Sequence, residues 1–226
     1  MTAIGRPRLH LREVGSTIDV ARDLALGGAP HGTLVTADVQ TQGRGRHGRT
    51  WSAPAGQALL IALVVRDPDA LLSLRAGLAV ADVAGPGARV KWPNDVLVDG
   101  RKVAGVLVEG RPQEGWAIAG IGVNAALDVD ALPPELHGTA GTLGRDPAEL
   151  ESVLEELLVA LTTRLAEPVD QTLLALRDRD ALLDAPIHWE GGSGTGAGIT
   201  DDGGLRVRPA GGGELVLHAG EVHLSA

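Results

Sequence analysis

Residues 91–109 read KWPNDVLVDGRKVAGVLVE, two apolar runs on either side of Asp99-Gly100. Asp-Gly between β-type runs favours a tight hairpin, because both central turn positions need positive φ. Residues 96–98 and 103–109 are therefore expected to form its arms. Just upstream, residues 90–92 make a short β-type run that Pro93 must end, since proline has no N–H to give a ladder. Lys91 then stands near a strand end, where ligands of α/β folds tend to bind. Asn94 and Asp95 read either as turn formers or as polar groups facing such a site.

Working outward, Ser16-Thr17-Ile18-Asp19 has the form of a capping box heading a helix over 16–26, stopped by Gly27-Gly28. Residues 33–39, 58–65 and 116–123 read as strands, 69–83 as a helix, and 40–50 as a Gly/Arg-rich loop. Beyond Pro147, Leu150, Val153, Leu154, Leu157, Leu158, Leu161 and Leu165 share one helical face, and a second helix is expected over 169–183. From Pro186 the pattern changes to short apolar pieces (187–189, 205–207, 215–217, 222–224) between glycine-rich turns. Such a unit is small enough to need packing against the rest of the chain. The expected class is α/β with a mixed sheet flanked by helices, divided into residues 1–183 and a β unit over 184–226.

The composition narrows the function. The 226 residues carry a formal charge of −9, which disfavours a protein that tracks nucleic-acid phosphates. Ten acids against four arginines between Arg145 and Asp184 supply most of it, and read as a solvated helix face. With no cysteine, disulfides and thiolate chemistry are excluded. Residues 1–16 lack the apolar run of a signal peptide, and no run is long enough to span a bilayer, so a cytoplasmic protein without a membrane partner is expected. Only two Lys and two Asn occur beside 18 Arg, the pattern of GC-rich coding. Lys91, Lys102, Asn94 and Asn124 are thus either chance survivors or residues doing what Arg and Asp cannot.

Two further motifs carry chemistry. Residues 40–51, QTQGRGRHGRTW, concentrate Arg44, Arg46 and Arg49 among Gly43, Gly45 and Gly48 in an otherwise acidic chain. Arginine suits bidentate capture of carboxylate or phosphate, and glycine permits close backbone approach, so the loop reads as an anion clamp. Residues 120–124, GIGVN, place glycines and Asn124 at a strand end without the helix a dinucleotide fingerprint requires. Gly105 is expected to leave room for a flat ligand, and Glu109 to serve orientation or solubility. The seven histidines show no metal-ligand spacing.

These motifs, in this order and spacing, resemble those of the biotin–protein ligases over essentially the whole chain. The resemblance implies a class II aminoacyl-tRNA-synthetase-like catalytic domain with a C-terminal SH3-like β-barrel. It implies ATP, Mg²⁺ and biotin as reactants, and a biotin carboxyl carrier protein or domain as acceptor. By position, Ser16, Thr17, Gln40, Gly43, Arg44, Gly45, Arg46, Lys91 and Gly105 would hold biotin. Arg46, Arg49, Trp51, Lys91, Asn94 and Asn124 would hold ATP, and Lys91, Arg46 and Arg49 would be catalytic, with Lys91 bridging the biotin carboxylate and the α-phosphate. Ile18 departs from the Asn common in the family, and with no Phe or Tyr the adenine must pack on Trp51 or aliphatic groups. The few residues before the first helix leave no space for the helix-turn-helix of the repressor forms, so no DNA partner is expected, and a monomer or weak homodimer is. The competing readings are a lipoate or octanoate transferase, discriminated by biotin-dependent ATP–pyrophosphate exchange, and a non-catalytic biotin sensor.

Overall fold

The computed structural model describes residues 4–225. Its larger sheet has seven strands: β1 (Arg8–Val14), β2 (Leu34–Gln40), β3 (Leu59–Arg66), β4 (Arg89–Lys91), β5 (Asp95–Val98), β6 (Arg101–Arg111) and β7 (Trp116–Val123). Their order is β1-β2-β3-β7-β6-β5-β4, with only β1 and β2 parallel. Parallel neighbours need a crossover, and helix α1 (Thr17–Leu26) supplies it. The Asp-Gly hairpin forms as expected, with Asp99 and Gly100 both at positive φ.

Strand β3 shows why its sequence is apolar throughout. Ile61, Leu63 and Val65 point to one core, Ala62 and Val64 to the other, so both faces are covered. The smaller core lies under α1 through Ile18, Ala21 and Ala25. The larger lies under α2 (Leu72–Ala84), backed by α3 (Leu150–Ala166) and α4 (Val169–Arg179). No helix among the described residues is long and apolar enough to cross a membrane.

Three elements differ from expectation. Strand β1 is not among the expected elements; Arg8 to Arg12 do alternate polar and apolar, but the run is short and, as an edge strand, mostly exposed. Helix α4 stops at Arg179 rather than running to 183, because the chain there pairs with β4: Ala181 N–H donates to Val90 O at 3.0 Å. The third is residues 192–199, GSGTGAGI, read as a glycine-rich turn. They form β9 (Gly192–Ile199), the middle strand of a second, antiparallel sheet. That sheet also contains β8 (Pro186–Trp189), β10 (Leu205–Pro209), β11 (Leu215–Leu217) and β12 (Val222–Leu224), in the order β11-β10-β9-β8-β12. The glycines serve close packing: a Cβ on Gly194 would lie 2.1 Å from Arg208 O, and one on Gly196 2.0 Å from Leu182 O. Leu182, Ile187, Leu205, Val207 and Val222 join the larger core, and Trp92 Nε1 donates to Gly203 O at 2.9 Å. The small sheet is thereby seated on the turn that carries the Lys91 motif.

Candidate active site

The sequence motifs converge on one cavity over the middle of the large sheet. Its floor is a glycine patch: Gly105 on β6 and Gly122 on β7 are cross-strand partners, with Gly120 two residues away on β7. The patch is already covered. A Cβ on Gly122 would sit 2.4 Å from the Trp51 indole, and one on Gly105 would sit 3.1 Å from it. The flat body for which Gly105 leaves room is thus the protein's own Trp51. Gly120 similarly admits Ile18, whose Cδ1 would lie 2.4 Å from an added Cβ. Replacing Gly122 with alanine should expel the indole; if Trp51 walls a nucleotide, as the resemblance implies, ATP affinity should then fall sharply, and an unchanged value in an ATP titration would count against that role.

The N-terminus of α1 forms one end of the site. Its cap is not the expected one. Ser16 makes no side-chain capping bond; instead Gln40 Oε1 accepts from Thr17 N–H at 2.8 Å and from Thr17 Oγ1 at 2.9 Å. Asp19 likewise turns away from the helix end, toward Arg22 and Arg44. Ser16 is buried, its Oγ lacks a protein partner, and it is not among the residues that line the cavity with Thr17 and Gln40.

The arginine–glycine segment is folded. Trp51 N–H donates to Gly43 O at 3.0 Å and Gly45 N–H to Arg49 O at 2.7 Å, with a left-handed turn at His47 and Gly48. Gly43 is not a wall residue: a Cβ there would lie 2.2 Å from Trp51 O, so it serves the loop's closure. Arg44, Gly45, Arg46 and Arg49 do line the cavity. Each arginine meets a different partner. Arg44 Nη2 donates to Asp19 at 2.8 Å and lies 3.3 Å from Glu109; Arg46 donates to Asn94 Oδ1 at 3.4 Å; Arg49 donates to Glu221 at 2.6 Å.

Opposite the loop stand both lysines of the chain. Asp95 lies between them, 3.8 Å from Lys91 Nζ and 2.7 Å from Lys102 Nζ, and Lys102 also sits 5.5 Å above the Trp51 ring. Asp95 is therefore more than a turn former. Lys91 is mostly buried, and loss of solvation draws its pKa below the ordinary lysine range, opposed chiefly by Asp95. Asn94 lines the cavity while its Nδ2 donates to Val106 O at 3.0 Å, which fixes the turn. Asn124 does not reach the cavity. It is buried, and its amide donates to Gly141 O at 3.0 Å and Lys102 O at 3.4 Å, so it acts on the backbone beneath Lys102.

Several residues here had no assigned role. Lys102 had been marked only by the rarity of lysine. Asp19 reads in the sequence only as a capping acid, and Arg22 carries no signal there. Glu221 and His223, from the end of the small sheet, reach the cavity from a region with no motif. Among the described residues no cluster of three or more His, Asp or Glu side chains is disposed to hold a metal ion.

Residues 12–125 match the model of the Biotin/lipoate A/B protein ligase family. The chain is 34% identical over 176 residues to the bifunctional ligase/repressor BirA of Bacillus spizizenii, covering 71% of this chain and 54% of that protein. It thus spans about half the length of that relative. It is 32% identical to the biotin–[acetyl-CoA-carboxylase] ligase of Mycobacterium tuberculosis, over 93% of this chain and 86% of that one. Among solved structures, the biotin protein ligase from Aquifex aeolicus in complex with biotin and ATP superposes with a TM-score of 0.82 at 26% identity, covering 97% of this chain and all of that one. By sequence and by fold, the chain belongs to the biotin/lipoate A/B protein ligase family.

Proposed function

We propose that the chain is a biotin–protein ligase, which activates biotin with ATP and passes it to a lysine of a biotin carboxyl carrier protein or domain. The observation that carries this reading is the division of one cavity. Ile18, Ile61, Leu107 and Ile121 line it with apolar surface, while Lys91, Lys102, Arg44, Arg46 and Arg49 bring five cations to it. An apolar acid and a polyphosphate fit those two characters, and the similar Aquifex protein holds biotin and ATP together.

In the first step a biotin carboxylate oxygen attacks the α-phosphorus of ATP; the bond to pyrophosphate breaks and biotinyl-5′-AMP forms. The obstacle is repulsion between two anions. Lys91 is placed to bridge them, and Arg46 and Arg49 to hold phosphate oxygens, so that charge is offset where it develops. Mg²⁺ bound with the nucleotide would supply further neutralisation of phosphate charge. Thr17 and Gln40 would receive biotin's ureido head, and Trp51 would wall the adenylate. In the second step the carrier's lysine nitrogen attacks the acyl carbon, the bond to AMP breaks, and a proton is lost from nitrogen. Residues 1–183 would do this chemistry, with 184–226 as an SH3-like unit contributing Glu221, and the cytoplasm would supply the ATP.

The test is incubation of the chain with biotin, MgATP and a carrier domain, followed by intact mass. A gain of one biotinyl group is expected, requiring ATP and absent when lipoate replaces biotin. An unmodified carrier, or one labelled equally by lipoate, would overturn the reading.

A further inference from the structure

We infer that Asp19 and Glu109 are positioning residues for Arg44, and that through it they set the enzyme's affinity for biotin. The inference rests on the proposed function, taking Arg44, which lines the cavity, as one of the residues that would hold biotin. Neither acid lines the cavity, yet both meet the same Arg44 Nη2, at 2.8 and 3.3 Å. Arg22 closes the group: it donates to Asp19 at 2.7 Å and pairs with Glu109. Two cations and two anions from α1, the loop and β6 thus form one neutral ring.

The ring is a poor candidate for a stability element. Its side chains are 29–48% exposed, and solvent-screened pairs of this kind contribute little to folding. What it does fix is direction. Arg44 lies between two glycines, so the backbone restrains it weakly. With Nη2 held by the acids, its Nε is left buried without a protein acceptor, beside a cavity the residue lines. A buried donor without a partner is costly, and a ligand acceptor would relieve it. Charge compensation also distinguishes Arg44 from Arg46. Arg44, neutralised by two carboxylates, suits a neutral acceptor such as an amide-like carbonyl. Arg46, which meets only the neutral Asn94, keeps its charge for phosphate.

A double-mutant cycle tests this on the full chain, with biotin binding read by calorimetry and ATP KM read in the adenylation step. Asp19→Asn with Glu109→Gln should weaken biotin binding about tenfold, the equivalent of one charge-assisted hydrogen bond. ATP KM should stay within about twofold, and the thermal midpoint should be nearly unchanged. In an Arg44→Met background the same pair should change biotin affinity by less than about twofold, because the acids then have nothing to position. Should the double variant fold poorly, Asp19→Asn alone carries the same comparison. Losses that add in the Arg44→Met background, or equal rises in biotin Kd and ATP KM, would overturn the positioning role alone. Failure of the unaltered protein to bind biotin would overturn the proposed function with it.

Discussion

Replacing Lys91 with alanine should slow biotinyl-adenylate formation by about a hundred- to a thousandfold, the usual effect of removing one preorganised charge from a reacting centre. The protein should remain folded, since among the described residues the Lys91 ammonium makes one ion pair, at 3.8 Å, with an acid that Lys102 holds more closely. Lys91→Arg should restore only part of the rate. A guanidinium keeps the charge, but it is a planar fork that cannot place a compact point charge between a carboxylate and a phosphate. ATP–pyrophosphate exchange dependent on biotin is the measurement, and near-normal exchange in either variant would remove Lys91 from its assigned role.

The same residue makes a prediction about pH. Burial lowers the pKa of Lys91, an effect that Lys102 and Arg49 reinforce and that Asp95 and Glu221 oppose. The protonated form is the useful one, so kcat/KM for adenylation, which reports the unliganded enzyme, should fall on the alkaline side at a pH below the ordinary lysine value of about 10.4. Arginine stays protonated throughout this range. The residual activity of Lys91→Arg should therefore lose that alkaline limb, and an identical limb in both proteins would assign the titration to another group.

How much of this was legible in the sequence depends on whether the signal was local. The Asp99-Gly100 hairpin and the doubly buried β3 were, because a turn's φ requirement and burial on both faces each leave a mark in adjacent residues. Strand β9 was not. Gly194 and Gly196 are there because Arg208 O and Leu182 O approach so closely, and that requirement lies in partners distant in sequence. The end of α4 is similar, set by pairing to β4 rather than by its own residues. In the site, Lys91, Gln40, Arg44, Arg46, Arg49 and Trp51 could be gathered because their motifs are compact, and the structure brings all six to one cavity. Asn124 carried the same kind of signal but supports the wall from behind. Glu221 could not be read at all. It is one of 29 acids, and its contact with Arg49 spans 172 positions.

The largest effect on stability should come from Arg75→Met, far from the chemistry. Arg75 lies on α2 and is only 3% exposed. Its Nε donates to Asp69 at 3.0 Å, while Nη1 donates to Arg164 O at 2.8 Å and Glu167 O at 2.7 Å. A buried guanidinium thereby caps the C-terminal end of α3, where helix carbonyls have no partners of their own. An apolar replacement for a buried ion pair is often tolerated when both charged partners go. Here two of the acceptors are backbone carbonyls, which no substitution at position 75 removes. Each of these part-buried carbonyls left without a donor costs up to about 1–3 kcal/mol, the figure for a fully buried group. Loss of Asp69's partner adds little, because that carboxylate is nearly half exposed. The variant should lose about 2–5 kcal/mol, and its melting midpoint should fall by roughly 2–4 °C per kcal/mol for a chain of this size. Lysine should restore part of the loss, since one ammonium can reach some but not all of the three acceptors. The consequence extends to the site. On the same helix Ser73 Oγ donates to Pro93 O at 3.0 Å, and Gly77 packs on Val90, the residue before Lys91. Loosening α2 should therefore reduce adenylation at temperatures below the global melt. A midpoint within about 2 °C of the parent would show that water or a rearranged α3 end replaces the cap.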